Sequence, residues 1–463
     1  MIAALLGVLL AAAPLVVATP AWAQAGRAKV PGHATARQEP GSPASAAHQT
    51  AAADPSPALR RVMAHPTLSD ATIGMVVIDA ATGESLVVHN ADELFSPASV
   101  NKLFTAATAL WRLGPSFVWQ TPLAFSGEQT GDGVISGDLW ALGRGAPDTV
   151  EEQLWIAARA IHSGGVRRIA GDLVVDDSFF DTERYGDGWP GGNQVREAYH
   201  APVGALMANY GAYREGNEWV AVTDPDLHFG ERLRELLGFA GVELGGEIRR
   251  PTAGEATALA HVEDIDPANS RTGLLTGLTL LYTIHSEPLG RLVLDLNKFS
   301  NNVMAEVIVK SLGAVEYGHP GTATKGLAVA AQFRNQVLGT ELTGYVQADG
   351  SGLSRLNRVS PRQVVELLRF AYADFHLGPE FVASMKISGR DGFNPRPFRD
   401  PPLLDEMRLK SGHIRGVNTL SGYAHTASGR VVAFCLMIND HRSQQWEIDQ
   451  RVAEISQVIL SSY

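Results

Sequence analysis

Ser99 and Lys102 stand three residues apart in the stretch Phe95-Ser96-Pro97-Ala98-Ser99-Val100-Asn101-Lys102-Leu103-Phe104-Thr105. A hydroxyl and an amine at that spacing share one helix face. A neutral amine there can take the hydroxyl proton and leave a nucleophilic oxygen, and burial or a nearby cation lowers the amine's pKa enough for the task. The flanks supply the helix. Ser96 followed by Pro97 reads as an N-cap and first helical residue, and Leu103, Phe104, Ala107, Leu110 and Trp111 recur at helical spacing. Ser99 is therefore expected in the first turn, where unpaired N–H groups and the macrodipole favour negative charge. A capping serine beside a solvated lysine is the competing reading, but this Ser-x-x-Lys is the only one in the chain.

The 463 residues leave room for two or three domains with real cores. A formal net charge of −11 disfavours nucleic acid or an anionic membrane surface as the main partner, so an anionic substrate must be held by local positive charge. Met1 to Val17 is an apolar run, followed by the small-x-small patterns Ala21-Trp22-Ala23 and Ala23-Gln24-Ala25. Residues 1–25 read as a secretory signal, although the run lacks a leading Lys or Arg; an uncleaved anchor is the alternative. No other segment is long and apolar enough to span a bilayer. The single cysteine, Cys435, lies in the apolar run Val431 to Ile438 and reads as core. Neither His-Glu-x-x-His nor paired-cysteine spacing occurs, so no metal or other cofactor is expected.

Residues 26–57, rich in Ala, Pro, Ser and Gly without periodicity, read as a disordered linker. Strand patterns follow at Thr72–Asp79 and Ser85–His89, then the Ser99 helix. From 116 to 266 short strands with glycine turns, broken by a helix at Val150–Ser163, suggest a separate β-rich insertion. Helical patterns resume at Leu289–Leu312, Thr322–Leu338 and Pro361–Phe375. Strands are expected at Arg408–His413, Thr419–His425 and Arg430–Asn439, with a last helix at Gln444–Leu460. The two ends of the chain, 58–115 and 267–463, thus form one α/β (α+β) domain, an antiparallel sheet bracketed by helices.

Three motifs in order, Ser99/Lys102, Ser300/Asn302 and Lys410/Ser411/Gly412, resemble the set of the penicillin-recognising serine acyltransferases. Longer stretches narrow the resemblance: Asp349-Gly350-Ser351-Gly352-Leu353-Ser354-Arg355-Leu356-Asn357, Asn297-Lys298-Phe299-Ser300-Asn301-Asn302, Gly389-Arg390-Asp391-Gly392, and Gly171 to Asp177 with Ala201 to Leu206. Together they look like the penicillin-binding protein 4 group of D-alanyl-D-alanine carboxypeptidase/endopeptidases, over most of residues 58–463. The resemblance implies a β-lactamase/transpeptidase-like fold and a periplasmic or otherwise extracytoplasmic location. It implies peptidoglycan stem peptides as substrates and β-lactam antibiotics as ligands. Ser99 would then attack a peptide carbonyl with Lys102 as base. Ser300 would relay a proton to the departing amine, and Asn302 would hold Lys102 or the substrate amide. Lys410 and Ser411 would face the terminal carboxylate. Gly412 would let substrate lie along the strand edge, and the N–H groups of Ser99 and His413 would form the oxyanion hole. His413 itself reads as a rim residue, and Ser351 as a turn residue in preference to a second nucleophile.

Serine stands at 411 where threonine is commoner, and only Tyr210 to Trp219 separates two stretches between which the family nests a third domain. Loops around Trp140, Asp148 and Trp189 are expected to wall the cleft. A serine carboxypeptidase, and in the family's manner also an endopeptidase, is the first expectation. A β-lactamase or esterase on the same fold, and a non-catalytic peptidoglycan-binding protein, are the alternatives.

Overall fold

The computed structural model describes residues 54–189, 197–255, 277–339, 344–392 and 396–463. The expected signal and nearly all of the expected linker lie outside them, as does the expected boundary at 266. Among the described residues no helix is long and apolar enough to cross a membrane.

One six-stranded sheet joins the two ends of the chain. Its order is Lys386–Ile387, Met407–Ile414, Val417–His425, Val431–Asn439, Thr72–Asp79 and Ser85–His89, and every neighbouring pair is antiparallel. The Val431–Asn439 strand is apolar from Val431 to Ile438 because both of its faces are buried. Cys435 and Met437 point into a core shared with Leu103, Phe104 and Leu110 of the helix Lys102–Leu113. Phe434, Leu436 and Ile438 face the opposite way, onto Ile448, Val452, Ile455 and Ile459 of the C-terminal helix Gln445–Ser462. Burial pushes the Cys435 thiol up to about 12, so it is an inert core group.

A second body of sheet lies between the two halves. Its five strands run Ile248–Arg249, Leu173–Asp176, Leu139–Leu142, Gln120–Ser126 and Leu278–His285, with parallel and antiparallel pairs mixed. The helices Glu151–Ser163 and Pro225–Ala240 cover one face through Leu154, Ala158, Ile161, Phe229, Leu233 and Leu237. The chain leaves and returns at adjacent points: the Trp119 N–H donates to Ser286 Oγ at 2.9 Å, and the Ser286 N–H donates to the Trp119 carbonyl at 3.0 Å. Between Gly211 and Pro225 there is only a hairpin, Ala212–Glu215 with Glu218–Ala221.

The expected continuous helix over Leu289–Leu312 is instead two, Leu289–Lys298 and Asn302–Tyr317. Ser300 between them sits at φ 58°, outside the right-handed helical region. Asn301 then caps the second helix by accepting the Met304 N–H at 3.0 Å. The apolar period continues across the break, which is why the pattern alone conceals it.

Phe229 is fully buried within the second body. Phe229→Ala should therefore destabilise the protein by about 3–5 kcal/mol, read as a lower urea midpoint. The rate of Ser99 acylation under native conditions should stay unchanged, since Phe229 packs away from that residue.

Candidate active site

Ser99 does not begin an α-helix. It lies in a 3-10 turn, Ala98–Asn101, and the helix starts at Lys102. Ser96 caps nothing; its N–H donates to Asn439 Oδ1 at 2.8 Å. Thr419 Oγ1 donates to the Pro97 carbonyl at 2.8 Å, so the turn is tied to two sheet strands. Ala98, just before Ser99, is held at φ 45°, a conformation that costs free energy and needs surrounding structure to enforce it. Gly352 lies against it. That glycine is at φ 83°, and a Cβ there would fall 1.8 Å from the Ala98 carbonyl oxygen.

Lys102 Nζ lies 2.9 Å from Ser99 Oγ, 2.6 Å from Asn302 Oδ1 and 2.6 Å from the Ser351 carbonyl oxygen. Two of these partners only accept. A neutral amine has two N–H groups for them and one lone pair left for the Ser99 hydroxyl proton. Burial favours that form: Lys102 has no exposed surface and its pKa is held down at about 7, against the upward pull of Asp349 and Glu306. Both functional groups of Asn302 are committed, since its Nδ2 donates to the Tyr199 carbonyl at 2.9 Å.

Two buried carboxylates hold this arrangement from below. Glu306 accepts the N–H groups of Gly350 (3.0 Å) and Ser351 (2.8 Å), and burial with the neighbouring Asp349 charge pushes its own pKa up. Asp349 accepts from Gly352 N, Ser354 N, Asn357 Nδ2 and Trp189 Nε1 at 2.7–3.0 Å. Ser351 is fully buried with its hydroxyl on Asp349, as a turn residue would be. Glu306, Tyr199 and the Ser351 carbonyl carry no signal beyond residue type in the sequence, because each acts through backbone or through position in the fold.

Lys410 approaches from the sheet. Its Nζ donates to Ser300 Oγ at 2.9 Å and to the Ser411 carbonyl at 2.8 Å. Among the described residues no carboxylate pairs with it, and burial, with Lys102 and Lys386 nearby, depresses its pKa well below the usual lysine value. A third lysine, Lys386, donates to Ser411 Oγ at 2.7 Å. Gly412 does more than leave a strand edge open. A Cβ there would lie 2.7 Å from Ser99 N and 2.8 Å from the Pro97 oxygen, so its absence lets the strand press on the Ser99 turn. His413 is exposed. The short Lys386–Ile387 strand pairs only with Arg408 and Leu409, so residues 410–414 keep one edge unpaired by it.

Of the three loops expected to wall the cleft, two pack inward. Trp140 is buried with Ala124, Leu142 and Val174, and Asp148 accepts the Glu287 N–H at 2.9 Å. Trp189 and Tyr199 do reach the site, Trp189 Nε1 donating to Asp349 Oδ2 at 3.0 Å and the Tyr199 carbonyl accepting from Asn302 Nδ2 at 2.9 Å. Among the described residues no group of His, Cys, Asp or Glu is arranged to hold a metal ion.

The D-Ala-D-Ala carboxypeptidase 3 (S13) family matches residues 56–215 and 271–458. A D-alanyl-D-alanine carboxypeptidase of an Actinomadura species is 32% identical over 439 residues, covering 82% of this chain and 80% of the relative. The D-alanyl-D-alanine carboxypeptidase DacB of Haemophilus influenzae is 24% identical over 454 residues, 83% and 89% of the two chains. The crystal structure of penicillin binding protein 4 (dacB) from Haemophilus influenzae superposes with a TM-score of 0.73 at 21% identity, covering 87% of this chain and 98% of its own. A predatory peptidoglycan endopeptidase from Bdellovibrio bacteriovorus shares the fold at a TM-score of 0.54 and 15% identity, over 84% and 92%.

Gly412→Ala should leave the protein folded but slow covalent modification of Ser99 at least about tenfold, because the added methyl must push the strand away from the Ser99 turn. Mass-spectrometric timing of the Ser99 adduct, beside the unfolding midpoint, checks both halves.

Proposed function

The chain belongs to the D-Ala-D-Ala carboxypeptidase 3 (S13) family, and from that premise we propose that it releases the terminal D-alanine of peptidoglycan stem peptides through an acyl-Ser99 intermediate. The observation that carries this reading is the buried Lys102 amine, 2.9 Å from Ser99 Oγ, with its two other contacts made to obligate acceptors. Ser99 Oγ attacks the penultimate carbonyl carbon while its proton passes to Lys102 Nζ. The N–H groups of Ser99 and His413 receive the developing oxyanion. The C–N bond then breaks, and the leaving amine takes a proton through the Ser300 hydroxyl, which Lys410 holds at 2.9 Å. Lys102, neutral again once its proton has passed on to the leaving amine, activates a water that frees the acyl group and restores Ser99.

Lys410 and Ser411 face the substrate's terminal carboxylate, and Asn302 acts by fixing Lys102. Crosslink cleavage fits the same site, because the bond broken in a crosslink is also a D-alanyl amide. Location outside the cytoplasm follows from the substrate and from the signal-like residues 1–25. The same acylation chemistry accounts for binding of β-lactams, whose strained amide and carboxylate mimic the acyl donor. The buried, hydroxyl-committed Ser351 disfavours a second nucleophile.

Ser99→Ala should abolish both penicillin labelling and D-alanine release with an unchanged unfolding midpoint. Labelling that survived would assign the nucleophile elsewhere.

The acylation rate should rise with pH through about 7. Lys102 acts as base only when neutral, and it is neutral above its depressed pKa. Second-order acylation rates by penicillin between pH 5 and 8 test this. A rate that fell across that interval would contradict the role of Lys102.

A further inference from the structure

We propose that Lys386 is a positioning residue for the carboxylate subsite: its ammonium donates to Ser411 Oγ and so turns the Ser411 hydroxyl proton toward the carboxylate of the acyl donor. The inference rests on the functional reading above and extends it to a residue outside the three motifs.

A lysine ammonium has three donors and no acceptor, so in the 2.7 Å contact Ser411 Oγ must accept. The hydroxyl's own proton is then free to be given away. Among the described residues no hydrogen bond takes it, and Ser411 is only half-buried on the strand that carries Lys410. Accepting from a cation also polarises the O–H, which makes it a better donor to an anion.

The placement of Lys386 is built into the fold. It is 4% exposed and sits on the short strand beside Leu409, one residue along from Lys410. Its methylene stem passes over Gly392, where a Cβ would come within 2.8 Å of Lys386 Cδ. Asp391 next to that glycine accepts the Ile387 N–H at 2.7 Å and the Lys298 ammonium at 2.5 Å, which fixes the loop around the lysine. Burial lowers Lys386 to about 8, with Asp391 opposing, so the ammonium persists at neutral pH.

A buried ammonium that served only packing would affect all acyl donors alike. One that aims a hydroxyl at a carboxylate affects only donors that have one. The test therefore compares second-order acylation by benzylpenicillin and by its methyl ester, together with D-alanine release from an N-acyl D-Ala-D-Ala peptide and cleavage of its C-terminal amide. In Lys386→Met the carboxylate forms should lose about tenfold, the worth of roughly one charge-assisted hydrogen bond, while the ester and amide change less than about twofold. The loss should appear mainly in the apparent affinity. In a Ser411→Ala background Lys386→Met should have no further effect, because the relay is already gone.

Equal losses for the acid and the ester would overturn the proposal, as would an acid-selective loss that persisted undiminished without the Ser411 hydroxyl. Should the methionine variant fail to fold, Ser411→Ala in the otherwise wild-type chain decides: retention of the full preference for carboxylate donors would overturn the relay. Failure of benzylpenicillin to acylate the wild-type protein at all would overturn the functional reading itself, and this inference with it.

Discussion

Everything at this site depends on keeping the Lys102 amine out of water. A solvated lysine carries its proton at neutral pH and cannot serve as a base. Lys102 has no exposed surface, and burial brings its pKa to about 7 although Asp349 and Glu306 both pull it upward. The balance is narrow. Without the carboxylates the loop that supplies the Ser351 carbonyl would lose its anchors. Were they unencumbered, their full charge would hold the ammonium. Their charge is instead spent on backbone N–H groups of that loop, Glu306 on Gly350 and Ser351, Asp349 on Gly352 and Ser354.

The geometry demanded by that amine propagates outward as close approaches. Ser351 must bring its carbonyl to 2.6 Å from Lys102, and the next residue, Gly352, then lies against the Ala98 carbonyl. On the other side Gly412 lets the Lys410 strand reach the Ser99 N–H. The Ser99 turn is thus gripped between a loop and a strand at the two points where a methyl group would not fit. This explains how Ala98 is maintained at positive φ. Side-chain packing on a single helix would not suffice.

The sequence exposed what is periodic or local. Five of the six main-sheet strands, the helix that opens at Pro361 and the Ser99–Lys102 spacing could all be read from pattern, whereas the short strand Lys386–Ile387 could not. The break at Ser300 could not, because a left-handed residue between two helices leaves the apolar period intact. Ser96 looked like a cap because Ser-Pro usually is one. Its backbone is held instead by Asn439, which lies 343 residues away in the chain. Lys386 was invisible for the same reason: its meaning is the neighbouring strand's Ser411, a long-range pairing that no local window contains. Trp140 and Asp148 show the converse error, where chemically suggestive side chains turn into the second body, Trp140 onto Ala124, Leu142 and Val174 and Asp148 onto the Glu287 N–H.

Three buried lysines within one site of a net acidic protein pose an electrostatic problem, and its resolution links base to binding. Repulsion between Lys102 and Lys410 is mutual, so the charged form of one favours the neutral form of the other. Lys102 has two carbonyl-type acceptors and a hydroxyl, a set suited to a neutral amine. Lys410 has a hydroxyl and a carbonyl and no carboxylate among the described residues. A carboxylate arriving beside Lys410 and Ser411 supplies the missing counter-charge and raises the Lys410 pKa. Seen from Lys102, the charge gained by Lys410 and the incoming anion offset one another, so on the proposed function the terminal carboxylate docks without drawing a proton onto the base.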